Sequence, residues 1–464
     1  MKIQTKYGYV EGKYENHLYQ FLGIPYGTAK RFLPPEAYQW TGVLDATHFQ
    51  PKAPQTLPLD GQSEQECLNL NIYTPDITKK LPVLVEIHGG AFQDGSNQKS
   101  HPENIIGSDQ FVYVTINYRL GVLGYLYLGK LLGKKYQTSG NNGTLDQLLA
   151  LQWIQDNIED FGGDPARITL LGSSAGAKSV GALMSNKVAS SLFSQVIMIS
   201  GAAQSVRDEM TAHLVTEKFL VSANLQAEDL LNLPLNQLIE AQLQFTQGEG
   251  STCVFGPVAD NIVIANNYYE IMKQPEWKGR ALIGSSLHEM AVVVSNFMNH
   301  IEDINKSLFG SHAKYTKRGF NQWKDKIGEK EAWIKILSDG MYRTYSYRLA
   351  KRLNMQGNEV YLYSNEFEPA LHCLDYTLAF GTREEIMIFF PQEEDLNQAL
   401  NIGKQIRKAF IQFVLSGTPG IDEWLPLSLQ SYQMIWNTAP SIRELTDYET
   451  WNEFPDQVFC LTEK

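Results

Sequence analysis

Residues Ile168-Thr169-Leu170-Leu171-Gly172-Ser173-Ser174-Ala175-Gly176 decide how this chain is read. The first four are apolar and largely β-branched, as in a buried strand. The last five spell G-x-S-x-G, and a helix-compatible run, Ala177 to Met184, follows. Strand, tight turn and helix in that order make the pattern meaningful. A turn this sharp strains its central residue. Glycines two before and two after let strand and helix pass closely. The arrangement presents the hydroxyl of Ser174 at a helix N-terminus, as a nucleophile would need. An ordinary Gly-rich turn is the bland alternative.

Outward from this stretch, short apolar runs alternate with helical ones, the rhythm of a mostly parallel sheet with helices on both faces, an α/β fold. Candidate strands are Leu81–Ile87, Val112–Asn117, Ile168–Leu171, Gln195–Ile199, Arg280–Ile283, Val360–Ser364 and Tyr432–Trp436. Between Leu145 and Phe161, apolar residues recur at spacings of three and four, which predicts a helix. Gly162-Gly163 ends it, and Asp164-Pro165 turns the chain toward the next strand. Two stretches, Arg207–Gly250 and Ala291–Lys351, read as amphipathic helical insertions walling a gorge over the sheet. No linker divides the 464 residues, so one domain, 1–464, is expected.

Composition narrows the partners. A formal net charge of −12 argues against a nucleic-acid footprint. No run approaches the ~20 apolar residues of a membrane span, and Met1 to Gly8 lacks the apolar centre of a secretory signal. A cytoplasmic protein without a membrane anchor is expected. Cys67, Cys253, Cys373 and Cys460 match no zinc-site spacing and read as free thiols.

A serine needs a base, usually histidine held by a carboxylate. In this architecture the chain order is serine, acid, histidine. The histidines after Ser174 are His213, His288, His300, His312 and His372. His372 lies a short loop beyond the strand Val360–Ser364, where a base can descend onto the serine. The acid belongs on a loop after an intervening strand, and Glu289 in Ser285-Ser286-Leu287-His288-Glu289 is best placed. His288-Glu289 does not begin a zinc-protease helix, because the fourth residue after His288 is Val292. Donors for an oxyanion are expected from the Ala175 N–H and the loop His88-Gly89-Gly90-Ala91, where glycine permits close approach.

At these residues the chain resembles the type-B carboxylesterase family, relatives of bacterial p-nitrobenzyl esterases and cholinesterases. The matching blocks are Phe21–Tyr26, Glu66–Tyr73, Asn117–Gly121, Gly140–Gln147, Phe161–Pro165 and Ser200-Gly201. The resemblance implies an α/β-hydrolase fold and a carboxylic ester hydrolase acting on small to medium apolar esters through an acyl-enzyme. It implies Ser174 as nucleophile, His372 as base and Glu289 as acid. Gly89, Gly90 and Ala175 form the oxyanion hole. Ser200 is expected to hydrogen-bond the acid. No metal or organic cofactor is implied, and the partners are a small ester and water, with the protein a monomer.

Departures from the family's pattern are informative. Ser173 stands where the family usually has Glu. His288-Glu289-Met290 replaces a block ending Asp-Glu-Gly, and Asp375 stands where Glu is commoner. The position that would pair with Cys67 in a disulfide is Ala53, leaving Cys67 free. The segment from Ala53 to Cys67 has no tryptophan to hold a quaternary ammonium, against choline esters. Phe245, Phe297 and Phe309 are candidates for lining the pocket, or ordinary core. The neutral base implies activity rising through roughly pH 6–7. Two other readings stand beside this one. One is a catalytically silent interaction protein, because the family includes adhesion molecules that keep the fold and lose triad members. The other is a hydrolase of amide, carbamate or lactone bonds.

Overall fold

Strands covered on both faces are largely apolar, and this chain sends alternate residues into two different cores. The structure, a computed structural model, describes residues 1–106, 110–247, 254–445, 451 and 454–456. Its main sheet has eleven strands among the described residues. In chain order they are β1 (Lys13–Glu15), β2 (Leu18–Pro25), β3 (Asn69–Thr74), β4 (Leu81–Ile87), β5 (Val112–Ile116), β6 (Gly163–Ser173), β7 (Gln195–Ile199), β8 (Arg280–Ser286), β9 (Glu359–Asn365), β10 (Tyr432–Trp436) and β11 (Ser441–Glu444). Their spatial order is β11-β10-β9-β8-β7-β6-β4-β5-β3-β2-β1. From β5 to β10 the neighbours are parallel, and antiparallel strands close both edges.

On one face Val83, Val85, Val114, Leu170, Val196, Met198 and Ile283 join a single core. On the other Leu84, Tyr113, Leu171, Ile197, Leu282 and Tyr363 join a second. That second core is capped by the helix Glu393–Ser416, whose apolar side carries Ile402, Ile406, Phe410 and Phe413. Gly403 lets it close on the helix Leu374–Phe380: a Cβ there would lie 2.0 Å from the Leu378 carbonyl oxygen.

All seven expected strands are present: three have the expected bounds, three run longer, and Val112–Ile116 ends one residue early. The expected helix begins earlier, at Asn142, and its last turn, Ile158–Phe161, is 3-10. Gly162 ends it in the left-handed conformation, φ 82°. The stretches read as insertions contain the helices Glu209–Ala223 and Leu235–Phe245, then Ala291–Phe297, Ile301–Phe309, Ala313–Ile327, Glu329–Ser338 and Thr344–Met355. Gly250, the expected end of the first, lies outside the described residues, as do Cys253 and Cys460. No helix among the described residues is long and apolar enough to cross a membrane.

The sheet positions the site by where its order turns back. β4 has β5 on one side and β6 on the other, so the connections leaving β4 and β6 open a crevice beyond their carboxyl ends, where ligands of open α/β sheets lie. The Gly89-Gly90 loop leaves β4, and the Ser174 turn leaves β6.

Candidate active site

Ser174 follows β6 directly and caps the helix Ala175–Ser185 with φ 52° and ψ −117°. A non-glycine residue holds such a backbone only when its surroundings over-determine it. Here they do. The Ser174 N–H donates to the Ile199 carbonyl at 2.8 Å, and the Lys178 N–H donates to the Ser174 carbonyl at 3.1 Å. Both flanking glycines are required. A Cβ on Gly172 would lie 2.4 Å from the Gly176 carbonyl carbon, and one on Gly176 would lie 1.9 Å from the Ile87 carbonyl oxygen.

His372 Nε2 stands 2.9 Å from Ser174 Oγ, and His372 Nδ1 is hydrogen-bonded to Glu289 Oε2. The other carboxylate oxygen, Oε1, accepts from the Ser286 N–H at 2.7 Å. The two loops are zipped together by backbone. Leu287 N–H donates to the Asn365 carbonyl, His288 N–H to the Ala370 carbonyl, and His288 bridges Leu371 as an extra rung. One residue further along each chain come Glu289 and His372. Glu289 has a fully buried side chain, whereas that of His372 is 29% exposed, so a substrate can reach the imidazole.

Burial alone would pull the His372 imidazole down. The adjoining Cys373 and the Glu289 carboxylate more than reverse this, and its pKa stands well above the ordinary value. Burial pushes the Cys373 thiol up, leaving it uncharged at neutral pH. Glu289 is therefore the charge that acts on the imidazole.

The Gly89 backbone rests against the serine: a Cβ there would be 2.7 Å from the Ser173 carbonyl oxygen and 3.3 Å from Ser174 Cβ. Gly90 has φ 108°, and its carbonyl accepts from the Gln93 and Asp94 N–H groups. Ala175 takes the first position of the helix, where an N–H has no partner inside the helix. The loop is braced from behind by His88. Its ring stacks on Tyr118 with centroids 4.4 Å apart, and its Nδ1 bonds the Gly89 carbonyl at 2.8 Å. Burial lowers the His88 pKa to about 4, so it is neutral and donates from Nδ1. Tyr118 Oη donates to the His88 carbonyl at 2.8 Å. Next to Tyr118, Arg119 forms a buried two-pronged pair with Asp146 at 2.8 and 2.7 Å. Two of the sequence blocks thus act as scaffolding for the glycine loop.

Several expectations need correction or completion. Ser200, with φ 51°, accepts from the Cys373 N–H at 3.4 Å; both oxygens of Glu289 are taken by Ser286 and His372. The serine therefore steadies the histidine's segment rather than the acid. Ser173 abuts Gly89, its Oγ 3.4 Å from where a Cβ would be. His213 pairs with Glu217, His288 with Glu368, and His312 stacks on Tyr315. Phe245 packs on Phe219 and Phe309 on Phe454, both as core. Cys67 is free and buried, its pKa pushed up to about 12 by burial.

The sequence reading missed Tyr342. Its ring lies 4.7 Å from that of His372, carried there by the π-helical turn Asp339–Arg343. Such turns are frequent at functional sites, but π-geometry leaves no mark in apolar periodicity.

The chain belongs to the carboxylesterase family, whose profile matches residues 1–451. It is 39% identical to the para-nitrobenzyl esterase of Bacillus subtilis (strain 168) over 225 residues, 45% of each chain. It is 31% identical to human (Homo sapiens) neuroligin-2 over 66% of this chain and 44% of that protein. The chain thus spans less than half the length of these two curated relatives. Among solved structures, the carboxylesterase EST55 of Geobacillus stearothermophilus superposes with a TM-score of 0.83 at 30% identity, covering 95% of this chain and 97% of that one. The fold shared with these carboxylesterases is the α/β-hydrolase fold.

Proposed function

We propose that this protein is a serine carboxylic ester hydrolase acting on small to medium apolar carboxyl esters. The observation that carries the proposal is the unbroken hydrogen-bonded chain from Ser174 through His372 to Glu289. His372 takes the hydroxyl proton as Ser174 Oγ attacks the ester carbonyl. Glu289 holds the imidazole in orientation and stabilises the imidazolium. Gly89, Gly90 and Ala175 supply backbone donors to the oxyanion. His372 then protonates the departing alcohol. In the second half it activates water, which releases the acid and restores the serine.

The same proposal takes residues 1–464 as one domain with helical walls at about 207–250 and 291–351, acting as a cytoplasmic monomer. Support for the walls comes from Tyr342, against His372, and from Gln242, whose Oε1 accepts from the Val122 N–H at 2.8 Å. Hydrolysis of a chromogenic p-nitrophenyl ester by wild type, and its loss in Ser174→Ala, is the test.

The likeness to neuroligin-2 favours considering a catalytically silent interaction protein. The filled triad argues for the enzyme, and labelling by a fluorophosphonate separates the two.

A further inference from the structure

Lys178 is a largely buried lysine close to the nucleophile. It lies in the first turn of the helix that starts at Ser174, the end at which the helix dipole disfavours cations. Only 6% of its surface is accessible. Its stem runs along Gly201, whose Cβ, if present, would be 3.4 Å from Lys178 Cγ and 2.5 Å from the Ser174 carbonyl oxygen. Its ammonium ends 4.9 Å above the ring of Tyr342, the same ring that packs on His372. The ammonium and the imidazole thus contact the same ring.

Among the described residues no carboxylate stands within ion-pair distance of it. Two carboxylates on the elements around Tyr342 and His372 are committed elsewhere. Asp339, in the same π-helical turn as Tyr342, is shared by Lys335 and Arg343, each at 3.0 Å. Glu289 is held by Ser286 and His372. The stem is buried, and the ammonium at its end has an aromatic face beside it and no carboxylate to pair with.

We propose that Lys178 is a specificity-determining residue that binds a carboxylate carried by the ester itself. The preferred substrates are then half-esters: an apolar skeleton with one ester bond and one anionic end. This rests on Ser174 and His372 being the reacting pair. The carboxylate would complete the ion pair that the protein leaves open. A neutral ester of the same shape would leave the ammonium without an ion-pair partner, so the site should discriminate against it.

The test compares kcat/KM for two matched pairs: mono-p-nitrophenyl succinate against p-nitrophenyl valerate, and 4-acetoxybenzoate against 4-isopropylphenyl acetate. The first puts the anion on the acyl side, the second on the alcohol side. Lys178→Met should lower the anionic-to-neutral ratio on the order of tenfold or more in at least one pair, mainly through KM. Lys178→Arg should keep most of the preference. Ratios in Lys178→Met within about twofold of wild type in both pairs would overturn the proposal. If the variants fail to fold, the wild type decides. Glutarate monoamide should inhibit neutral-ester hydrolysis more tightly than glutaramide, and equal inhibition overturns the proposal. Persistence of hydrolysis in Ser174→Ala would instead overturn the assignment of the reacting pair, whatever the ratios show.

Discussion

The backbone of Gly176 lies directly against Ile87: a Cβ on the glycine would stand 1.9 Å from the isoleucine's carbonyl oxygen. This contact locks the nucleophile helix to the last residue of β4, from which the glycine loop departs. The spacing between Ser174 and the Gly89-Gly90 loop is set there. Gly176→Ala is therefore expected to do more than strain a turn. The contact is with backbone and cannot rotate away. A loss of roughly 2–4 kcal/mol is expected, at the upper end of typical core overpacking, with activity falling further than stability. Thermal melts and ester hydrolysis on the same preparation check this.

The pH profile follows from His372. The base must be neutral to accept the serine proton, and its neighbours Cys373 and Glu289 raise the imidazole pKa above the ordinary histidine value. With chemistry rate-limiting, the rising limb should lie at higher pH than that of an unperturbed histidine. Glu289→Gln removes the carboxylate that stabilises the imidazolium. Its limb should move to lower pH while kcat falls by roughly 10⁴. A limb that stays in place in Glu289→Gln contradicts the electrostatic assignment.

The buried pair of Arg119 and Asp146 should be costly to break. The guanidinium also donates to the Leu33 carbonyl at 2.6 Å, and the Asp146 carboxylate accepts from the Arg119 N–H at 3.0 Å. Asp146→Ala leaves a buried cation unpaired, with an expected loss of about 3–5 kcal/mol. Chemical denaturation measures it. Residual activity in the folded fraction reports whether Tyr118 and His88 still hold the Gly89 loop.

Tyr376 ties the two halves of the site from below. It lies four residues beyond His372, and its hydroxyl donates to Glu86 Oε1 at 2.6 Å on β4, the strand that leads into the glycine loop. Tyr113 and Ser100 hold the other oxygen of Glu86. Tyr376→Phe should cost about 1–3 kcal/mol, because it leaves a buried carboxylate oxygen short of a donor. Its kcat should fall while KM changes little. An unchanged kcat would show that the two loops are held without this bond.

Ser174, Glu289 and His372, which the structure brings together, were legible because each is tied to a short-range signal. Gly172 and Gly176 mark the turn, and Glu289 and His372 each follow a strand that apolar runs announce. β2 and β3 were harder to see. Their residues include Gln20, Asn69 and Asn71, polar side chains that are buried here and dilute the strand pattern. Asn71 is satisfied by Asn97, Thr115 and the Gly23 N–H, partners distant in the chain. The helix Glu393–Ser416 escaped notice although its apolar side is regular. Tyr342 and Lys178 became visible only in three dimensions, because a π-helical turn brings Tyr342 to His372 and the small Gly201 lets the Lys178 stem pass toward Tyr342.

Stoichiometric labelling with a fluorophosphonate, followed by mapping of the modified peptide, tests the central claim most directly. One equivalent should attach at Ser174 and abolish ester hydrolysis, and Ser174→Ala should take up none. Attachment at another residue, or full hydrolysis by the labelled protein, would contradict the assignment of Ser174 as the nucleophile.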